Sequence, residues 1–478
     1  MLFNSLAFLL FFPTVLLMYW IFPYRWRNAF LLVASYYFYM NWEPAFALLI
    51  ASSTFTTWGC ARLMGHTPTR KKVILSICLA FNLGLLIAFK YLGFLGDSLQ
   101  SLLDMAGFSI HVPQFRLLLP VGISFYTFQA VGYTIDVYRG TIRAERSFLV
   151  YALFVSFFPQ LVAGPIERAK NLLPQFRDRH HFRIIPLMEG LRLMTIGYFM
   201  KLCVADNLSS YVDAVFNNLS HHNGTSVLMA TFFFTFQIFC DFGGYSLIAI
   251  GVARCMGFRL MQNFRQPYLA GSVKEFWRRW HISLSTWFSD YVYIPLGGNR
   301  CAPVRHRANL FVTLLVSGLW HGANWTFIGW GGYHGTLLVR QNVKSKLPSP
   351  KYLTDSLLCR RIGRVFAVGS TFVLVAAGWL LIRANSLSHA NLAFKKMATE
   401  RGMLYNGEGK PQIALCFMMI LILMGIEFYN ECRAVTVDTP LSTDRAAIIR
   451  SGVATGILLV IILLCASFSG GQFIYFQF

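Results

Sequence analysis

Apolar runs long enough to approach the width of a bilayer recur along the whole chain, and the short polar stretches between them carry most of its Lys and Arg. A helix needs about 20 apolar residues to cross roughly 30 Å of hydrocarbon. The pattern therefore predicts an all-α polytopic membrane protein. We read about ten transmembrane helices, over residues 6–22, 29–42, 44–61, 73–92, 118–137, 186–204, 226–252, 365–382, 412–429 and 452–468. They form one integral-membrane domain spanning residues 1–478.

The basic clusters orient these spans, because loops rich in Lys and Arg stay in the cytoplasm. Arg25 and Arg27 place the loop after the first span inside and the N-terminus outside. The first run lacks both a basic leader and a small-residue cleavage site, so we read it as a retained span. Alternation then puts Arg62–Lys72 inside, residues 93–117 outside with Arg116 alone, and the RGTIRAER stretch (139–146) inside. Residues 205–225 lie outside and contain neither Lys nor Arg, whereas 254–279 and 340–364 are basic and cytoplasmic. The loop 383–411 is expected outside despite Arg383, Lys395, Lys396, Arg401 and Lys410, and the C-terminus ends outside.

Three segments do not fit a simple crossing. Residues 148–166 are apolar but basic on both flanks, and Pro159, Gly164 and Pro165 interrupt them. Non-helical backbone at membrane depth survives only where protein or a watery cavity covers it, so this stretch predicts a re-entrant or interfacial segment. Residues 282–298 carry Ser283, Ser285, Ser289 and Asp290 between basic flanks, which predicts a half-depth segment. Residues 309–339 read as a hairpin turning at Gly322–Asn324, whose first apolar arm, Asn309–Trp320, is only about 18 Å long as a helix. Together these re-entrant or half-depth segments are expected to enclose a central tunnel.

Composition agrees, with 56% hydrophobic and 16% aromatic residues. The formal charge of +22 would point to nucleic acid in a soluble chain, but here the loops account for it, and no nucleic-acid partner is expected. The ten cysteines show no CxxC pair and read as small buried hydrophobes, with neither a metal site nor a disulfide framework.

Two histidines stand out, His281 in RRWHISLS and His321 in GLWHGANW. A titratable side chain inside a membrane is costly and marks a functional site by default. A neutral imidazole can take the proton of a hydroxyl attacking an acyl carbon and return it to a leaving thiolate. Trp280, Trp320 and Asn324 supply candidate donors for a developing oxyanion, and Ser283 lies in the same stretch. Arg278 and Arg279 read either as positive-inside anchors or as phosphate partners for a donor such as a coenzyme A thioester. His334, in GGYHG, is structural or tunnel-lining. Asp241, within an apolar run, calls for a buried cation, and an Arg is the expected partner. A transporter would also use broken helices and buried polar groups, but no second copy of the WHG hairpin accompanies this one.

The stretches QIFCDFGGYSLIAIGVARCMGF (237–258), NFRQPY (263–268), FWRRWHISLSTWFSDYVYIPLGGNR (276–300), GLWHGANWTFIGWGGYHG (318–335) and the terminal FIYFQF resemble the membrane-bound O-acyltransferases, in particular the alginate O-acetyltransferase-like branch. The resemblance implies His321 as the essential catalytic histidine and His281 as the second signature position. It implies an enzyme of the bacterial inner membrane that passes an acetyl group, from acetyl-CoA as donor substrate and with no bound cofactor, to an extracytoplasmic polysaccharide such as alginate. It also implies a periplasmic SGNH-hydrolase-like acetyltransferase, or another polysaccharide-modification subunit, as partner. Transfer of D-alanyl or another acyl group to a cell-wall polymer or peptidoglycan is the alternative within the same family.

Overall fold

The computed structural model describes residues 1–113, 117–162, 164–344, 357–440 and 444–467. Arg116, the centre of the basic loop 340–364 and the terminal FIYFQF lie outside the described residues. Within them every regular element is a helix. Five helices are long and apolar enough to cross a membrane: Pro68–Met105, Gly224–Cys255, Arg361–Arg383, Lys410–Arg433 and Arg445–Cys465. The other expected spans appear as shorter helices, such as Leu6–Ile21, or more polar ones, such as Tyr24–Met40.

The chain, read from sequence as one domain, divides into two compact units, residues 1–194 with 248–261 and residues 195–247 with 262–478. In the first, Phe148–Ser156 and Phe158–Leu161 are helices of nine and four residues, neither long enough to cross a bilayer. The break between them frees backbone groups, and side chains take them up. The Phe154 carbonyl accepts from the Gln129 and Gln160 amides, both at 2.8 Å, and Phe158 N–H donates to Ser35 Oγ at 3.1 Å. This is the protein cover that an interrupted segment requires in hydrocarbon.

In the second unit the expected cation beside Asp241 is a lysine, not an arginine. Lys201 Nζ lies 2.7 Å from Asp241 Oδ1 and 2.8 Å from Asp206 Oδ1, and all three side chains are almost fully buried. Lys201 sits in a π-helical stretch, Phe199–Ala205, that continues the helix Ile184–Tyr198. Its sequence surroundings are apolar, so nothing local marked it as the partner. The ammonium ion needs several acceptors at once, and two carboxylates from different helices provide them.

The loop 383–411 carries a helix, Leu387–Thr399, and its cations are largely engaged. Arg383 pairs with Asp213 at 2.8 Å, and Lys396 donates to the carbonyls of His222 and Ser220 at 2.9 and 3.4 Å. All three partners belong to the stretch 205–225 that contains no Lys or Arg. Arg383 and Lys396 thus answer acidic and carbonyl oxygens of that stretch, which weakens these two as orientation signals.

Removing one partner from a buried ion cluster costs on the order of 3–5 kcal/mol, because uncompensated charge stays behind. Lys201→Met should therefore lower the thermal midpoint of the purified protein well below that of Lys201→Arg. Equal midpoints, read by fluorescence-detected size exclusion after heating, would contradict this arrangement.

Candidate active site

His281 occupies the joint between two short helices. Ser272 caps the first, Val273–Arg279, by accepting from Glu275 N–H at 3.1 Å. His281 itself has φ of +44°, a left-handed conformation at a residue with a Cβ, and the second helix, Ile282–Phe288, starts directly after it. Such a conformation costs of order 1–3 kcal/mol and persists only where neighbours hold it. Asn263 does so twice: its carbonyl accepts Ile282 N–H at 2.9 Å, and its side chain accepts the Ser283 hydroxyl at 2.6 Å. Ser283 therefore fixes the joint. The reversal also separates neighbours in sequence: Trp280 packs 4.6 Å from Trp379, whereas His281 packs 4.6 Å from Phe242.

His321 ends the helix Pro303–His321, and Trp325–Lys344 returns beside it. The first arm is longer than the twelve residues expected, since 303–308 join the helix despite their charge. At 19 and 20 residues the arms measure roughly 28 and 30 Å. Glycine lets them touch: a Cβ on Gly331 would stand 2.4 Å from the Leu314 carbonyl, and one on Gly318 would stand 2.3 Å from that of Phe327. The second arm is capped by Asn324, whose side-chain oxygen accepts Thr326 N–H at 3.0 Å while its amide donates to the Asn385 carbonyl at 3.2 Å. Asn324, a candidate oxyanion donor by sequence, uses its oxygen and one amide hydrogen in closing the turn.

The two histidines meet, with ring centroids 6.3 Å apart and planes at 83°. His321 Nδ1 lies 2.7 Å from the Ser317 carbonyl. A carbonyl can only accept, so Nδ1 carries the proton and, in the neutral ring, Nε2 carries the lone pair. The second nitrogen is therefore the basic one. Trp320 and Trp330 flank the ring, each with its centroid 5.0 Å away.

A cavity of about 630 Å³ is lined by Ser317, whose carbonyl accepts from His321 Nδ1, and by Ile282, which directly follows His281. Trp277 also lines it, and Lys274, Arg278 and His306 bring positive or titratable groups to it. Arg278 is exposed there, but Arg279 is not comparably placed. Its guanidinium binds Glu431 through two hydrogen bonds of 2.8 and 2.9 Å and Glu275 through one of 2.6 Å. The adjacent arginines thus separate into one that faces the cavity and one that ties helices together. His334 is fully buried, with its ring 5.2 Å from both Trp277 and Trp330, and neither of its nitrogens has a hydrogen-bond partner among the described residues.

Sequence reading did not single out Ser317, Asn263, Phe242 or Trp379. Ser317 acts through its backbone, which leaves no side-chain signal, although its position four residues before His321 is the i−4 spacing of a helix.

The pattern of the MBOAT, membrane-bound O-acyltransferase family, matches residues 140–369, which contain both histidines. The chain is 41% identical over 427 residues to a probable alginate O-acetylase, AlgI, of Azotobacter vinelandii, covering 88% of this chain and 83% of the relative. It is 40% identical over 401 residues to the corresponding protein of Pseudomonas aeruginosa, covering 83% and 75%. It is also 33% identical over 413 residues to a peptidoglycan O-acetyltransferase of Helicobacter pylori, covering 80% and 75%. A helical membrane fold, a paired-histidine site and likeness over most of the length converge on one assignment: the chain belongs to the membrane-bound O-acyltransferase family.

Proposed function

We propose that this multi-pass membrane acyltransferase moves an acetyl group from a cytoplasmic thioester, acetyl-CoA, to a hydroxyl of an extracytoplasmic polysaccharide. The observation that carries the reading is the His321 Nδ1–H bond to the Ser317 carbonyl, which leaves Nε2 as the basic nitrogen, while Ser317 itself lines a cavity that Lys274 and Arg278 make basic. Relatives named for alginate and for peptidoglycan acetylation support a glycan hydroxyl as acceptor. We place the protein in the bacterial inner membrane with both termini outside. The group reaches the glycan directly or through a periplasmic SGNH-hydrolase-like partner.

In this mechanism the donor enters through the basic cavity, whose residues come from stretches that the charge asymmetry assigns to the cytoplasm. Arg278 and Lys274 attract the nucleotide phosphates. The acceptor oxygen attacks the thioester carbonyl carbon while His321 Nε2 takes its proton. The tetrahedral intermediate collapses, the C–S bond breaks, and the proton passes to the departing thiolate, so one ester and one thiol form. His281, packed beside this ring, and the Trp320 indole are placed to hold His321 or the developing oxyanion.

Loss of a general base costs about 10²–10⁴-fold in rate. His321→Ala should therefore abolish base-labile acetyl esters in the producing cell while the protein still inserts and accumulates. Wild-type ester levels in that strain would overturn the assignment. A second expectation concerns the donor: Arg278→Ala should raise the KM for acetyl-CoA several-fold but leave that for phosphate-free acetyl-pantetheine unchanged. Equal effects on both donors would remove Arg278 from phosphate binding.

A further inference from the structure

The cavity lined by Ser317, the backbone partner of His321, is bounded at Trp277 by a block of aromatic rings. Trp277 lines the cavity and packs 5.5 Å from Trp330, which stacks on Trp379 at 5.7 Å with planes 22° apart. Trp379 in turn packs 4.6 Å from Trp280 and 6.3 Å from Phe276. Trp330, Trp379, Trp280 and Phe276 are each at most 2% exposed. Ring spacings of this size are those of direct aromatic contact, so the layers are closed against one another. Gly378 completes the seal: a Cβ there would stand 2.6 Å from His334 Nε2, so the helix bearing Trp379 lies directly on the histidine.

We infer that the Trp277, Trp330, His334 and Trp379 block is the stop that limits the transferred acyl group to two carbons. The inference rests on the proposed donor reading. The reacting carbonyl must lie within hydrogen-bond reach of the hydroxyl that His321 deprotonates, and Trp330 is already in contact with that ring. The cavity itself is taken by the donor's long pantetheine arm, so a longer acyl tail cannot fold back into it. A tail extending past the carbonyl meets Trp277 and then Trp330. An acetyl methyl ends before that wall, and each further methylene has to displace an indole. Discrimination of about 10- to 200-fold per methylene is what an apolar pocket delivers.

Membranes carrying the full-length protein and its native acceptor test this. They are supplied with acetyl-CoA or butyryl-CoA, and the base-labile acyl groups on the glycan are identified by gas chromatography. The wild type is expected to favour acetyl at least tenfold. Trp277→Ala, which opens the first layer, and Trp379→Ala, which lets the second relax, are expected to raise the butyryl-to-acetyl ratio at least tenfold. Trp277→Leu covers the case in which a larger truncation fails to fold, and it should give an intermediate ratio. Ratios within twofold of wild type in folded, acetylating variants would overturn the stop. So would a wild type that transfers butyryl as readily as acetyl. Wild-type membranes that form no acyl ester from either thioester would instead refute the donor reading itself.

Discussion

A chain folded in hydrocarbon has to satisfy its own backbone wherever a helix breaks, and this constraint governs the parts of the protein that matter most. A similar device recurs at several breaks: an Asn or Gln side chain, from the same stretch or from another helix, supplies missing bonds. Gln129 and Gln160 cover the Phe154 carbonyl, and Asn309 donates to the carbonyls of Leu296 and Gly298 at 3.1 and 3.2 Å. Asn207 reaches the carbonyls of Leu202 and Cys203 in the π-helical stretch and that of Cys465. At the joint carrying His281 the backbone carbonyl of Asn263 accepts Ile282 N–H and its side chain accepts the Ser283 hydroxyl, and after His321 the Asn324 side chain accepts Thr326 N–H. The site is thus built on breaks, and the breaks depend on amides.

Charge inside the protein follows a related economy. Lys201 serves two buried carboxylates, and Arg279 ties Glu275 to Glu431. Each cation has acceptors in number, because an unpaired charge in a low-dielectric interior costs several kcal/mol. Arg278 differs in facing the cavity, where a ligand's phosphates can take the place of protein carboxylates. Two adjacent arginines therefore do different work, and the face of the helix on which each lies decides which.

At the centre, a backbone carbonyl sets the chemistry of His321. The Ser317 bond fixes which ring nitrogen holds the proton, and the close glycine packing of the hairpin fixes where the ring stands. Trp320 and Trp330 flank the ring, and Trp277 and Trp379 pack in turn against Trp330. The protonated nitrogen, the ring's orientation and its aromatic surroundings all come from one hairpin and the short helices facing it.

Much of this was legible in the chain alone. Run length and the distribution of Lys and Arg determined a polytopic helical membrane protein, and the broken stretches 148–166 and 282–298 announced themselves through Pro, Gly and Ser. His281 and His321 stood out because imidazoles are rare in apolar surroundings, and their flanking motifs carried the family. These are local signals, readable along one dimension. Which helices meet was not local, and so only the tertiary structure decided that Lys201 answers Asp241, that Arg279 is held by Glu431, and that Asn324 caps the second arm and reaches the Asn385 carbonyl. The same holds for the hairpin's length: polar residues 303–308 look like loop, yet they join the helix. The sequence named the two histidines, and packing alone brought their rings within 6.3 Å of each other.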